Sequence, residues 1–326
     1  MTDIQSLRFW PFLVTFVSVA VISVAIPHVL DRGIVFMAGL VLIDMVIAMA
    51  FNFLFRTIGI LSFGQAMFVI VGAYGAGILI KTYSDLSFLP ALLAAGAVSG
   101  LVALVVGYIS LQRIEGTYFA VLTLAFSSLA WLVVGKLDGL GREDGLTGIT
   151  RPDVNLGFAT ISLNQTDHLY YFIAVVCLVL VAVIWMVTNS QFGRASRAIR
   201  LDAQRAEFLG INIQAYKLAA FVFAGTVTGI VSGLLGPWVQ VLTPELGHWM
   251  QSTKPVLHAL LGGAGFFWGP ALGAVLFAVI AYATRTMAGL TDLITGGLLL
   301  IVVLAFPGGI LGLANWLVNK ARGGRG

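Results

Sequence analysis

Few residues in this 326-residue chain are of types that do chemistry, and their spacing excludes most of it. The four histidines lie at 28, 168, 248 and 258, and the nearest two are ten apart. That spacing does not bring them to one turn of a helix, so no metal site is expected. The single cysteine, Cys177, lies in an apolar run; with no second thiol for a disulfide or thiolate cluster, it reads as packing. No GxxxxGK[ST] phosphate loop and no GxSxG nucleophile elbow occurs. The chain is therefore not expected to be an enzyme, to hydrolyse nucleotide by itself or to hold a cofactor.

Two features stand apart. Asp44 sits near the middle of an apolar stretch from 33 to 55. An ionisable group at that depth is costly and is a functional suspect by default. It reads either as a pore-facing group that meets a cationic part of a solute, or carries a proton, or as a carboxyl hydrogen-bonded inside a bundle. No other ionisable residue is placed at comparable depth; Arg56 and Lys81 fall at span ends, where they snorkel. The second feature is the charged segment 189–216, SQFGRASRAIRLDAQRAEFLGINIQAY from 190 on. Asp202 is placed to cap a short helix that Gly210 would end. Such a helix between two spans is either an ordinary solvated loop or a docking element for a cytoplasmic motor.

The elements that must position these residues are membrane spans. Apolar residues make up 59% of the chain and charged residues 10%, against about 25% charged in a soluble domain. The mean hydropathy is +1.00. Backbone groups in lipid must pair internally, which leaves helices or a closed barrel. The apolar runs are much longer than the roughly ten-residue alternating strands of a barrel. An all-α, polytopic transmembrane helical bundle is expected, a single transmembrane domain over 1–326.

About ten spans are predicted. They run near 9–30, 33–55, 64–80, 88–110, 117–135, 168–188, 217–240, 254–262, 269–284 and 291–306. The first is too long for a signal-peptide core and no small-x-small cleavage site follows it, so it is expected to be retained. The loop 136–167 holds three basic and five acidic residues, and 189–217 holds five basic and two acidic. Basic residues set topology, so the second loop is expected in the cytoplasm. Both termini then fall on the cytoplasmic side, including the tail with Lys320, Arg322 and Arg325. The net charge of +4 belongs to this bias and not to nucleic-acid binding, for no basic patch is interleaved with stacking aromatics. Many glycines stand at small-x-x-x-small spacing, such as Gly72 with Ala76 and Gly225 with Gly229, which suits close helix packing in lipid.

Five ordered blocks carry a further resemblance. NFLFRTIGILSFGQAMFVIVGAY, from Asn52 to Tyr74, resembles the signature of LivM-type permeases of branched-chain amino-acid ABC importers. RIEGTYFAVLTLAFSSL (Arg113 to Leu129), GLGREDGLTGI (Gly139 to Ile149), the segment from Arg197 to Phe221 and LGGAGFFWGPALGA (Leu261 to Ala274) resemble its later blocks, in the same order. The resemblance covers about 35–312. It implies a bacterial inner-membrane permease paired with a sister permease, two cytoplasmic ATPases that carry ATP and Mg, and a periplasmic binding protein. Carried over by position, the docking element falls on Asp202, Arg205, Ala206, Leu209 and Gly210. The passage residues fall on Ser62, Phe63, Gln65, Tyr118 and Thr123, with Asp44 beside them.

Three positions depart from the pattern: Arg56 where Gly is usual, Gln65 where His is usual, and Glu115 where Arg is common. Gln hydrogen-bonds but does not become cationic. The solute is therefore open among branched-chain amino acids, urea, amides and aromatic acids. An alternative reading is an ion- or proton-coupled secondary transporter with Asp44 as its coupling site.

Overall fold

A computed structural model describes residues 3–83, 87–111, 116–155 and 160–284, with short pieces between 294 and 315. Arg113 and Glu115, the segment from Arg285 to Asp292, most of the expected span 291–306 and the basic tail lie outside the described residues. The order of elements is α1 (Asp3–Val29), α2 (Arg32–Phe53), α3 (Gln65–Thr82), α4 (Phe88–Leu111), α5 (Thr117–Lys136), β1 (Leu146–Thr147), β2 (Val154–Asn155), β3 (Thr160–Ile161), α6 (Thr166–Asn189), α7 (Gln191–Leu201), α8 (Ala203–Phe208), α9 (Ile213–Ser232), α10 (Leu235–Val239), β4 (Val241–Leu242), α11 (Trp249–Gly262) and α12 (Gly269–Thr284).

Seven helical stretches among the described residues are long and apolar enough to cross a membrane. They are Phe12–Val29, Arg32–Ile58, Gln65–Thr82, Phe88–Leu111, Thr117–Lys136, Thr166–Asn189 and Ile213–Val239, which match the first seven expected spans. The chain is a helical, multi-pass membrane protein. The next two expected stretches are also helical, and shorter among the described residues. The stretch expected at 254–262 belongs to the longer α11, which starts at Trp249 but reaches only about 21 Å. The described part of α12 is about 24 Å long and has the expected bounds 269–284, while α11 falls short of the ~30 Å hydrocarbon core. The two pack as a hairpin held backbone to backbone. A Cβ on Gly262 would strike the carbonyl of Gly269, and one on Gly273 would strike that of His258.

The core is built on glycine contacts. A Cβ on Gly72 of α3 would collide with the Gly229 carbonyl and the Ser232 Oγ of α9, and one on Gly229 with Ser99 of α4. Helix backbones can meet this closely only where side chains are absent. Gly225 lies against Ala103 and Phe68. These expected small-residue stripes thus serve packing between helices.

Ring contacts set the relative directions of the helices. Phe12 stacks on Trp185 near the end of α6, with centroids 4.3 Å apart. At the other end of α1, His28 Nε2 lies 3.2 Å from the Tyr171 hydroxyl, near the start of α6. The start of α1 therefore lies on the same side as α7. On the opposite side Trp238 stacks on Phe36 and donates its indole N–H to the Phe36 carbonyl (3.1 Å). There β1 pairs antiparallel with β4, Leu146 opposite Leu242, and Tyr74 Oη donates to the Leu242 carbonyl (2.8 Å).

Candidate functional site

The signature block 52–74 begins in a helix and then leaves it. Residues Leu54–Ile58 form a π-helical turn at the end of α2. Single π turns inside α-helices recur at functional positions. Gly59 stops this one with φ of 81°, a left-handed conformation that suits glycine, and its N–H donates to the Leu54 carbonyl (3.0 Å). Residues 59–64 then run without helical structure to the start of α3. Non-helical backbone within a membrane bundle must be satisfied by protein or face a water-filled cavity.

Side chains satisfy part of it, and side chains from distant helices hold the start of α3 that follows. The Phe63 N–H donates to Thr123 Oγ1 of α5 (3.1 Å), and the Gly64 N–H to Ser62 Oγ (3.2 Å). The Ala66 N–H donates to Ser252 Oγ of α11 (3.0 Å). Thr228 Oγ1 of α9 donates to Gln65 Oε1 (3.1 Å). These are amides at a helix start, which have no partner within the helix itself. Ser62, Gln65 and Thr123 are fully buried, Phe63 is half-buried and Tyr118 is exposed. The structure brings Ser62, Phe63, Gln65 and Thr123 into one cluster; Tyr118 stands at the start of α5. Buried Gln65 Nε2 has no hydrogen-bond partner among the described residues. Sequence reasoning missed Ser252 and Thr228, which lie some 160 to 190 positions away from the segment they hold.

Asp44 is half-buried on α2, twelve residues into the 27-residue span Arg32–Ile58. Lys254 stands exposed in the second turn of α11. It was overlooked because it reads as the boundary of an apolar run. The usable signal was the i, i+4 spacing of Lys254 and His258, which puts both on one helix face.

The charged segment folds as its caps dictate. Asp202 closes α7 and opens α8; its carboxylate accepts from the Arg205 N–H (3.1 Å) and pairs with the Arg205 guanidinium at 2.7 Å. Gly210 follows with φ of 81° and open space around it. Ala206 faces inward at 2% exposure, whereas Leu201, Phe208 and Leu209 stand out at 87%, 90% and 79%. Of the expected docking residues, Arg205, Leu209 and Gly210 are surface groups, Asp202 is a half-buried cap and Ala206 is interior. Leu201 and Phe208 were not anticipated.

Arginines tie α7 to the ends of two spans. Arg197 donates to the Thr188 carbonyl (2.7 Å), Arg194 to that of Asn189 (3.1 Å) and Arg200 to that of Arg56. Carbonyls at helix C-termini carry partial negative charge and lack intrahelical donors, so a cation there is favourable.

The sequence profile of the permease component of branched-chain amino-acid transport systems matches residues 33–304. The chain belongs to this family. Among similar proteins is the high-affinity branched-chain amino-acid transport permease LivM of Salmonella typhimurium, 26% identical over 89% of this chain and 73% of its own length. The permease BraD of Pseudomonas aeruginosa is 28% identical over 82% of this chain and 90% of its own. The permease LivH of Escherichia coli is 24% identical over 82% and 90%. No solved structure matches. Membership of this permease family agrees with the LivM-type resemblance and does not favour a gradient-coupled secondary transporter.

Proposed function

We propose that the chain is one membrane-spanning permease subunit of an ABC importer of branched-chain amino acids or related small solutes. It acts as a single permease domain in a bacterial inner membrane. The observation that carries this reading is α8, a short capped helix bearing bare Phe208 and flanked by bare Leu201 and Leu209, in a chain of this family. Such a surface gives a motor protein something to grip, and the chain has no phosphate loop of its own. Of two ATPases holding ATP and Mg, one docks there. A sister permease of related sequence completes the passage, and a periplasmic binding protein delivers the solute.

In this scheme Phe63 and Tyr118 supply passage surface, while Ser62 and Thr123 hold the 59–64 segment in shape. The free Gln65 amide N–H groups are donors for a solute or a water. The whole complex, purified with its partner subunits and placed in vesicles, should import leucine only with ATP. Orthovanadate should block this uptake and proton or sodium ionophores should leave it unchanged. Uptake that follows an ion gradient and ignores vanadate would overturn the proposal.

The face bearing α7 and α8 lies in the cytoplasm with both termini, and the β1–β4 face lies outside, in a ten-span arrangement. Cysteine at Glu143 should react with an impermeant thiol reagent in intact cells, and cysteine at Gln204 should react only after permeabilisation. Both sites are exposed, and native Cys177 is buried, which keeps the background low. The opposite labelling pattern would invert the orientation.

A further inference from the structure

We infer that the face of α11 bearing Met250, Lys254 and Leu257 is a seam against the sister permease, which sets an acidic or carbonyl group opposite the Lys254 ammonium. The inference rests on the importer reading and names the surface of this chain that the sister covers.

Hydrogen bonds fix the depth of this face. Ser127 stands about 15 Å from the start of the 20-residue helix α5 and about 14 Å from its end, the middle of that span. Its hydroxyl donates to the Gly247 carbonyl just before α11 (3.3 Å) and lies 3.4 Å from Ser252 Oγ of α11. Ser252 Oγ also accepts the Ala66 N–H at the start of α3 (3.0 Å). Past the far end of α11, Asn52 Nδ2 of α2 donates to the Phe266 carbonyl (3.4 Å), about 9 Å before the end of the span Arg32–Ile58. The helix α11 thus runs from the middle of the bundle toward the side of α7. Lys254 follows Ser252 by two residues, a rise of about 3 Å. Its backbone sits within one turn of the middle of α5.

The face at this depth looks away from the bundle. Met250, Lys254 and Leu257 stand at i, i+4 and i+7, one side of the helix; Met250 and Lys254 are exposed and Leu257 is half-buried. The ion pairs among the described residues are Arg142–Asp138 and Arg205–Asp202, and Lys254 belongs to neither. Asp44, half-buried on α2, does not pair with it.

Hydrocarbon does not suit such a face. The four-carbon stem of lysine is far shorter than half of the ~30 Å core, so an ammonium at mid-depth does not snorkel to the head groups. Charged groups within spans turn to protein or water and pair with other charges or with carbonyls. This chain leaves Lys254 outside its own bundle, so the partner comes from another chain. The flanking Met250 and Leu257 are apolar, a mixture that suits protein packing around one complementary acid better than a column of water.

The test uses the assembled complex in native membranes, with a tag on the sister permease. A photoactivated cross-linking residue at Met250, and separately at Leu257, should yield an adduct carrying that tag. The same residue at Leu101 on α4 or Val179 on α6, both exposed, should yield none. Lys254→Glu should lower recovery of the sister with this chain roughly tenfold, while Lys254→Arg keeps it. Adducts with lipid alone or with a second copy of this chain would overturn the inference, as would equal tagged adducts from the two control positions. The cross-link needs no ATP and the variants at 250 and 257 keep the lysine, so poor folding of Lys254→Glu does not blur the result. Vanadate-sensitive uptake by the unmodified complex reports separately on the importer reading: uptake without adducts sinks only the assignment of this face.

Discussion

Phe208→Asp should release the ATPase from the permease while leaving the amount of permease in the membrane unchanged. Phe208 is 90% exposed at the last turn of α8, so the substitution disturbs nothing inside this chain. An aromatic anchor of this kind carries about 2 kcal/mol or more in a protein interface, which is some thirtyfold in affinity. Aspartate adds an uncompensated charge to the same contact. Co-purification of the ATPase and solute-stimulated hydrolysis should fall together by that factor, and leucine uptake with them. Ala206→Asp should behave differently. Ala206 is interior, so a carboxylate there is forced between α8 and the bundle and should lower permease yield before any question of docking arises. Unchanged co-purification with Phe208→Asp would remove α8 as the docking surface. The arginine ties from α7 to Thr188, Asn189 and Arg56 explain why a push at this point moves spans and not only a loop.

The second large effect lies in the glycine contact between α3 and α9. Gly72→Ala already drives a methyl into a backbone carbonyl and should cost about 1–3 kcal/mol; Gly72→Leu exceeds that and should abolish the folded bundle. Gly75, one turn along α3, is the control, because a Cβ there meets only the Ala95 Cα at 3.8 Å. Gly75→Ala should be neutral or slightly stabilising, since alanine is the better helix former. Melting temperature and the yield of monodisperse protein in detergent separate the two cases. Equal stability of Gly72→Leu and Gly75→Ala would show that α3 and α9 do not meet as described.

Much of this architecture was legible in the sequence, for a physical reason. The first seven spans each declare themselves by an apolar stretch of 18 residues or more, a signal that needs no tertiary information. The helix α8 was equally legible, because Asp202 and Gly210 are local start and stop signals acting within a few residues. What failed to show was everything fixed by distance. The π turn before Gly59 has no composition of its own. Ser252 and Thr228 are ordinary small polar residues until the fold sets them beside Ala66 and Gln65. The pairing of Leu146 with Leu242 joins two strands of two residues each, too short to carry an alternating pattern. The first turn of α11 did not show because hydropathy starts the stretch at 254, whereas the helix already begins at Trp249.

The way the 59–64 segment is held has a consequence for the order of events during synthesis. Phe63 in the segment and Gln65 and Ala66 at the start of α3 find their partners in α5, α9 and α11, and the last of these, Ser252, emerges from the ribosome almost two hundred residues after the segment itself. Until then the Ala66 amide lacks its native acceptor in a solvent that cannot replace it. The start of α3 is thus finished only when α11 arrives, so a truncated or stalled chain would keep an exposed polar defect in the bilayer. The same groups that shape the passage in the finished protein therefore mark, in the nascent one, whether the bundle is complete.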